Sequence, residues 1–417
     1  MRTSLIFSSI DKWLLRRVHD ATGGAQIRLA LNNGNGFSPP RAAPVASVLI
    51  CDRRTLARLF FDPEVGFGDA YAEGHIQVEG NLVALLEAAH LSMSSAQASS
   101  WYSRLASHWL ERAQANTLRG SRKNIHHHYD LTTDFYKLWL DPQLVYTCAY
   151  FPSPSVTLEE AQLAKLDHVC RKLQLQPGET VVEAGCGWGA LGLYMAKHYG
   201  VSVKAFNISR EQILFARQRA KEEGLSDRVE FIEDDYRNIS GRFDVFVSVG
   251  MLEHVGADHY AELGSVIHRS LGKSGRGLLH FIGRNYQRSF SAWARKRIFP
   301  GSYLPALREV MKIFEPWDFS VLDVENLRLH YAKTLEHWLD RFERSTCRVS
   351  EMFDSRFVRT WRLYLSGALA GFRVGTLQLF QIVFAGPDCQ RIPWTRAHLY
   401  TDEQSAEQES QWIHATS

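Results

Sequence analysis

Glu179-Thr-Val-Val-Glu-Ala-Gly-Cys-Gly-Trp-Gly189 is the stretch on which the reading of this chain turns. "ETVVEAG" has the short apolar run of a buried strand. Three glycines follow at alternate positions, just where a helical pattern, "ALGLYMAKHYG", begins. Glycine at a strand-to-helix turn lets the backbone pass close to a ligand lying at the strand's carboxyl end. It also suits a merely tight turn. The spacing is GxGxG rather than GxGxxG, and no basic residue stands beside it to hold a phosphate, which disfavours NAD and ATP.

The pattern continues outward from that turn. Upstream, "TLEEAQLAKLDHVCRKLQL" sets Leu163, Leu166, Val169 and Leu173 at helical spacing, with Thr157 as cap and Glu160 three residues on. Downstream, "VSVKAFN" reads as a strand and "SREQILFARQRAKEEG" as a helix capped by Ser209 and closed by Gly224. The strands "RVEFIEDD" and "RFDVFVSVG", the helix "DHYAELGSVIHRSLG" and the strand "GRGLLHFIG" follow; "DFSVLDVENL" and "TLQLFQIVFAG" are two later strands. Such alternation predicts an α/β domain, a mostly parallel sheet with helices on both faces.

Residues 1–115 have a different character and are predicted to form a separate N-terminal domain, with 116–417 as the second. "AQIRLAL" and "ASVLICD" read as strands around a turn, "NNGNGFSPPRAAP", and "NLVALLEAAHLS" as a helix. The Gly-rich "VGFGDAYAEGHIQVEG" reads as strand and loop. "SMSSAQASSW" and "QANTLRGSRKN" are the linker candidates, and the polar tail "TDEQSAEQESQWIHATS" is expected to fray.

The totals narrow the classes. With 417 residues, 45% hydrophobic and 22% charged, the chain can bury a sizeable core. A net charge of +3 is too small to argue for nucleic acid. Six scattered cysteines without a CxxC pair argue against a zinc ribbon and a disulfide framework, and point to reduced cytosolic thiols. No apolar run approaches a membrane span, and the N-terminus makes a poor signal peptide. Trp13, Leu14 and Leu15 beside Arg16 and Arg17 suit a helix lying on a membrane surface, or a first helix packed on its own domain.

An acid before the first glycine, Glu183, followed by Gly185, Cys186, Gly187 and Gly189, resembles motif I of class I S-adenosylmethionine (SAM) methyltransferases. The second strand should end near a grip for the ribose hydroxyls, a role left here to Asn207 and Gln212. After the third strand, Asp235 can accept from the adenine amino group while Tyr236 packs on the ring; Glu233 and Asp234 read as a solvated turn. The transferred methyl then lies beyond strand four, at "SVGMLEHVG", which places Glu253 at the reaction centre and leaves His254 to pack or bond to backbone. "HHHYD" (His126 to His128) invites a metal, but three adjacent residues cannot all face one ion.

Between about Asn124 and Phe342 the chain resembles the cyclopropane-fatty-acyl-phospholipid synthase family, relatives of the mycolic acid cyclopropane synthases. The resemblance is carried by "HYDLTTDFYKLWLD", "YTCAYF", "VEAGCGWGALGLYMAKHYGVSV", "NISREQ", "DDYR", "FDVFVSVGMLEHVG", "LLHFIG", "IFPGSYLP" and "HYAKTLEHWLDRF". "GFGDAYAEGHIQVEG" is similar to part of that family's small N-terminal lipid-associated domain. The resemblance implies a Rossmann-like seven-stranded sheet with a smaller α+β N-terminal domain. It implies SAM as methyl donor and a cis double bond of a phospholipid acyl chain as acceptor. The resulting carbocation would be deprotonated by bound bicarbonate.

The residues matching the bicarbonate set are Cys148, Glu253, His280, Ile282 through its backbone, and Tyr331. Alone, Cys148 reads as a small buried hydrophobe, His280 as a satisfied core histidine and Tyr331 as an amphipathic core tyrosine; their joint presence is the signal. The bicarbonate OH would bond to Glu253, with His280 and Tyr331 donating to its other oxygens. Tyr146 and Thr147 would touch SAM under a lid of His128, Tyr129 and Asp130. The resemblance departs at Thr133, where the family more often has Asn. Trp293, Phe299 and Tyr303 among Arg295, Lys296 and Arg297 suit an acyl chain entering below a phosphate, or a solvated charged face.

The expectation is thus a cytoplasmic enzyme of lipid biosynthesis, peripheral on the inner membrane face and a homodimer by resemblance. Rival readings are a methyltransferase that leaves a methyl or methylene branch or methylates a small amine, and a non-catalytic lipid-binding or SAM-sensing protein.

Overall fold

Alternate apolar residues turn inward from strand β1 (Ile27–Leu31), where Ile27, Leu29 and Leu31 are buried, and from β3 (Ala46–Ile50), where Ala46, Val48 and Ile50 are. With β2 (Gly36–Phe37) and β4 (Ile76–Gly80) they form a four-stranded sheet in the order β2-β1-β3-β4. The central pair is parallel and the two outer pairs antiparallel. Helices α1 (Arg2–Ala21) and α2 (Arg53–Phe61) add Leu15, Val18, Leu56 and Leu59 to the same core. In this computed structural model the described residues are 2–21, 26–32, 34, 36–38, 44–97, 132–288 and 290–400.

One expectation is corrected here. "VGFGDAY" is helical, within α3 (Pro63–Ala72), and only Ile76–Gly80 of that stretch is strand. The cause is a start signal that the glycines obscured: the Asp62 side chain accepts from the Val65 amide at 3.2 Å and Pro63 occupies the first turn. Helix α4 (Leu82–Gln97) follows.

The predicted alternation forms the second sheet. Its strands are β5 (Thr180–Ala184), β6 (Ser202–Asn207), β7 (Val229–Glu233), β8 (Val245–Val249), β9 (Arg276–Gly283), β10 (Ser320–Asn326) and β11 (Gln378–Ala385). Their order is β10-β11-β9-β8-β5-β6-β7. β7, β6, β5, β8 and β9 pair in parallel, while β10 and β11 are antiparallel. Strand order reverses beside β5, with β6 on one side and β8 on the other, and the crevice outside that switch point is where such sheets bind ligands.

Helix α5 (Leu158–Lys172) leads into β5, and α6 (Ala190–Tyr199), α7 (Arg210–Glu222) and α8 (Tyr260–Leu271) connect strands of the sheet. The capping box is in place: the Glu160 amide donates to Thr157 Oγ1 at 3.3 Å, and the Thr157 amide donates to Glu160 at 2.8 Å. Val181, Val203, Val245, Val247 and Leu278 are all at most 2% exposed. Each such side chain contributes roughly 1.5–3 kcal/mol of burial free energy, and this core holds the strand ends in register.

By spatial grouping the chain forms two units. One comprises Met1–Leu140, Ile282–Leu307 and Leu327–Leu379; the other comprises Asp141–Phe281, Arg308–Asn326 and Phe380–Ser417. The first therefore includes α9 (Ala292–Arg297), α10 (Arg328–Arg344), α11 (Thr346–Met352) and α12 (Ser355–Arg373) along with the N-terminal elements. The boundary expected near residue 115, the second linker candidate and the 401–417 tail lie outside the described residues, while Ser92–Gln97 of the first linker candidate is helical, the end of α4.

Candidate active site

The three glycines after β5 all adopt positive φ, Gly185 at +86°, Gly187 at +53° and Gly189 at +86°. A Cβ on Gly189 would lie 2.6 Å from the Phe231 ring, so that glycine serves packing. A Cβ on Gly187 would meet nothing within 4 Å. Gly187 is thus the point where the backbone is open to a ligand. Asn207 at the end of β6 donates to the Gly187 carbonyl at 3.3 Å and to Gln212 Oε1 at 2.7 Å, so the two residues expected at the ribose stand side by side. Cys186 is buried at the turn. The donors and acceptors here fit a sugar hydroxyl pair, and among the described residues no cation is set to receive a pyrophosphate.

Glu183, just before the first glycine, is deeply buried. It is 2% exposed, and its Oε2 lies 3.0 Å from where a Cβ on Gly192 would be, beneath the first turn of α6. Desolvation pushes its carboxyl up to about 7, against the pull of the Lys165 charge and the Gly192 amide. Asp235 is also buried; the Arg237 amide donates to its Oδ1 at 3.0 Å and the Arg237 guanidinium to its Oδ2 at 3.2 Å. That guanidinium lies over the Tyr236 ring, 5.0 Å from its centroid. Asp234 accepts from Asn238 at 2.8 Å, in keeping with a turn role.

The segment carrying Tyr146, Thr147 and Cys148 is held from several sides. Asp141, 1% exposed, accepts from the Gln143 amide at 2.8 Å and the Val145 amide at 3.0 Å, bracing Leu144 at φ +55°. From α5, Gln162 donates to the Val145 and Thr147 carbonyls at 3.2 and 2.9 Å, and Lys165 Nζ donates to Thr147 Oγ1 at 3.1 Å. Lys165 is 2% exposed, and burial brings its ammonium down to about 8 despite Asp141, Cys148 and Glu183 nearby. Sequence reading missed Gln162 and Lys165. Their signal was two polar residues, three apart, on the face of α5 that buries Leu158, Ala161 and Val169.

Thr147 in turn limits the exit from β8. A Cβ on Gly250, at φ +75°, would come 2.9 Å from Thr147 Cγ2. The Gly250 amide donates to the His280 carbonyl at 2.8 Å, so the exit is tied to β9 as well. Glu253 follows on the short 3-10 turn Leu252–His254 and is 7% exposed. Cys148 is wholly buried, with its thiol 3.1 Å from the Ala149 carbonyl. Burial brings His254 down to about 4, so it carries no charge near neutrality.

His280 is 2% exposed. Burial first, then the charges of Lys165 and Lys172, bring its imidazole down to about 3, so it is neutral. The Gln381 side-chain amide donates to Nδ1 at 3.0 Å, which puts the ring proton on Nε2. Nε2 has no hydrogen-bond partner among the described residues. A buried N–H donor of this kind suits a small anion. Gln381 was also missed; the signal was one polar residue inside the buried run of β11.

Ile282 lies two residues beyond His280 on β9 and, with Tyr331, belongs to the other unit. Tyr331 sits on α10, 8% exposed, tilted at 4.5 Å from Phe372 and edge-on to Trp338 at 5.9 Å. In that same unit Trp293, Phe353, Phe357, Arg297 and Arg356 line a cavity of about 430 Å³. Arg297 bonds to both oxygens of Asp69, at 2.9 and 2.7 Å. Phe299 stands edge-on to Tyr364, and Tyr303 accepts from Gln287 at 3.5 Å. Arg295 is half-buried and Lys296 exposed. The expected lid, His128 with Tyr129 and Asp130, and the His126 to His128 run lie outside the described residues. Among the described residues there is no metal-binding cluster, and no helix is long and apolar enough to cross a membrane.

Strand order, glycine turn and the Asn207–Gln212 pair define a class I SAM-dependent methyltransferase. The chain belongs to the mycolic acid cyclopropane synthetase family, whose match runs over residues 116–382. It is 34% identical over 385 residues to a probable fatty acid methyltransferase of Pseudomonas putida, covering 90% of this chain and 96% of that one. It is 40% identical over 259 residues to the cyclopropane-fatty-acyl-phospholipid synthase of Escherichia coli (strain K12), covering 62% of this chain and 66% of that one. Among solved structures, mycolic acid cyclopropane synthase CmaA1 complexed with SAH and CTAB superposes with a TM-score of 0.60 at 31% identity. The match covers 63% of this chain and 97% of that one.

Proposed function

We propose that this methyltransferase is a cyclopropane fatty acid synthase acting on unsaturated phospholipid acyl chains. The cis double bond attacks the SAM methyl carbon; the carbon–sulfur bond breaks, S-adenosylhomocysteine leaves, and the positive charge passes to the acyl chain. Loss of a proton from the added methyl then allows the ring to close. The SAM supplies the electrophilic methyl, and bound bicarbonate would supply the base.

The chain's residues are read as follows. Glu183, Gly185, Cys186, Gly187, Gly189, Asn207, Gln212, Asp235 and Tyr236 bind SAM, with Tyr146 and Thr147 against it. Cys148, Glu253, His280, the Ile282 backbone and Tyr331 hold the anion, Glu253 accepting its OH and His280 donating from Nε2. The single observation that carries the reading is His280 itself: neutral, its tautomer set by Gln381, with a buried Nε2–H that lacks an acceptor. A simple amine methylation has no use for such a donor.

The reading extends to the whole chain. Residues 1–115 serve as a lipid-associated domain and 116–417 as the catalytic domain of a homodimer. The enzyme is cytoplasmic and works peripherally on the inner membrane face. The test is purified protein with SAM and vesicles of unsaturated phospholipid. The expected product is an acyl chain heavier by one methylene and resistant to hydrogenation. One observation favours a second reading, a branched product: the Pseudomonas putida relative matched over 90% of this chain is a probable fatty acid methyltransferase. A hydrogenation-sensitive, branched product would select it.

A further inference from the structure

Three large rings stand in solvent on one face of the N-terminal elements. Phe61 at the end of α2 is 83% exposed, Trp13 on α1 is 52% exposed and Phe60 is 37% exposed. They touch one another: Trp13 and Phe60 have centroids 5.7 Å apart, and Phe60 and Phe61 meet edge-on at 5.2 Å. Ile10, one helical turn before Trp13, is also exposed. Isolated exposed apolar residues are ordinary, but a contiguous aromatic cluster marks a contact surface.

The charges around the cluster indicate what it contacts. Lys12, Arg16, Arg17 and Arg54 are exposed on the same two helices and form no ion pair among the described residues. The Arg17 guanidinium lies 5.6 Å from the Trp13 ring centroid. The acid nearest the cluster on α1, Asp11, is buried and engaged by Arg53 at 2.9 and 3.0 Å. Exposed aromatic rings beside uncompensated cations match a bilayer interface, where rings sit at the headgroup level and cations meet anionic lipid.

We propose that Trp13, Phe60 and Phe61, flanked by Lys12, Arg16, Arg17 and Arg54, form the face by which this protein docks on anionic phospholipid membranes. The proposal rests on the lipid-modifying reading and names the surface that brings the enzyme to its substrate. Docking inserts the rings among the headgroups, while the cations add a salt-sensitive attraction.

The experiment uses the full chain and fluid vesicles of dimyristoyl phosphatidylcholine, with or without about 30 mol% dimyristoyl phosphatidylglycerol. These lipids have no double bond, so docking is read without chemistry. Co-sedimentation is measured for the native protein, for the triple variant Trp13→Ser, Phe60→Ser, Phe61→Ser, and for Arg16→Gln with Arg17→Gln and Arg54→Gln. The ring variant should bind the anionic vesicles about ten-fold more weakly or worse. The charge variant should lose the preference for anionic vesicles and most of its salt dependence. SAM affinity and turnover of unsaturated lipid in detergent micelles should stay native in both, which separates failed docking from failed folding and from failure of the ring-closing reading. Native vesicle binding by the ring variant overturns the proposal. So does a change of oligomeric mass in light scattering with vesicle binding intact, which would assign the face to a second copy of the chain.

Discussion

Gln381 Nε2 lies 3.0 Å from His280 Nδ1, and the two side chains are 0% and 2% exposed. This one hydrogen bond decides which imidazole nitrogen carries the proton. With a donor facing Nδ1, the neutral ring can only present Nε2–H on its other side. Replacing Gln381 with Leu leaves Nδ1 buried without a donor and frees the tautomer. We expect Gln381→Leu to lower kcat about ten-fold or more, the rate equivalent of losing one buried hydrogen bond. SAM affinity measured by calorimetry should hold within about two-fold, because Gln381 faces the histidine and not the glycine turn. Gln381→Glu should be worse, since a carboxylate accepts from Nδ1–H and draws the proton off Nε2. Unchanged turnover in both variants would remove His280 from the donor role.

A second expectation concerns Glu253, buried on the turn after β8. Glu253→Gln keeps the shape of the side chain but replaces one acceptor oxygen by a donor. If Glu253 accepts the OH of a bound anion, turnover should fall by about a hundred-fold while SAM binding survives. Loss of SAM binding instead would place Glu253 in the cofactor site.

The strands and the helix caps could be read from the sequence because they rest on local rules. Thr157 with Glu160, Ser209 before α7 and the apolar run of β8 each act within a few residues. Helix α3 was misread for the same kind of reason: Gly66 and Gly68 disguised a helix whose start was written in Asp62 and Pro63. The glycine turn, Asn207, Gln212 and Glu253 were placed by position along the alternation, whereas His280 was singled out only by the family resemblance. Gln381 lies 101 residues from His280, and Lys165 lies 18 from Thr147 across a loop; such pairings are set by sheet order and helix placement, which no short window contains. What could be noticed in advance was a polar side chain at a position that packing requires to be buried, as at Gln162, Lys165 and Gln381.

Lys165 supplies a pH prediction. Its folded pKa, lowered by burial from 10.5 to about 8, means the ammonium is present below pH 8 and lost above it. The unfolded chain keeps that proton up to its ordinary value. Between about pH 8 and 10.5 the unfolded state therefore binds more protons, and this group makes stability rise with pH. Activity should move the other way, because neutral lysine no longer holds Thr147 as a charged donor. SAM affinity should weaken with an apparent pKa near 8, and Lys165→Met should lower affinity at pH 7 and abolish that limb. Lys165→Arg should restore little, since the guanidinium fork does not fit the space of an ammonium. A flat native profile between pH 7 and 9 would contradict the assignment.

The last expectation is about stability. Glu325 on β10 accepts from Lys172 at 2.7 Å and pairs with His168 at 2.9 Å, where Lys172 and His168 have side chains only 1% and 2% exposed. Desolvation acts to raise the Glu325 carboxyl, but the His168 hydrogen bond and the Lys172 charge outweigh it and bring it down to about 2. The folded value lies below the ordinary glutamate value of 4.5, so the contribution is fully present above that value and is lost as pH falls toward 2. Glu325→Gln leaves the Lys172 ammonium buried beside a neutral amide, and the cost should be about 3 kcal/mol in urea unfolding at pH 7, the low end for a broken buried pair because Glu325 retains some solvent contact. The gap between native and variant should narrow steadily from pH 4.5 downward, because protonation removes from the native protein what the substitution removed from the variant. Lys172→Met in the Glu325→Gln background should recover most of the loss, since burying an unpaired cation, and not the missing attraction alone, makes the single substitution costly. A gap that stays constant across that pH range would show that Glu325 contributes by packing and not by charge.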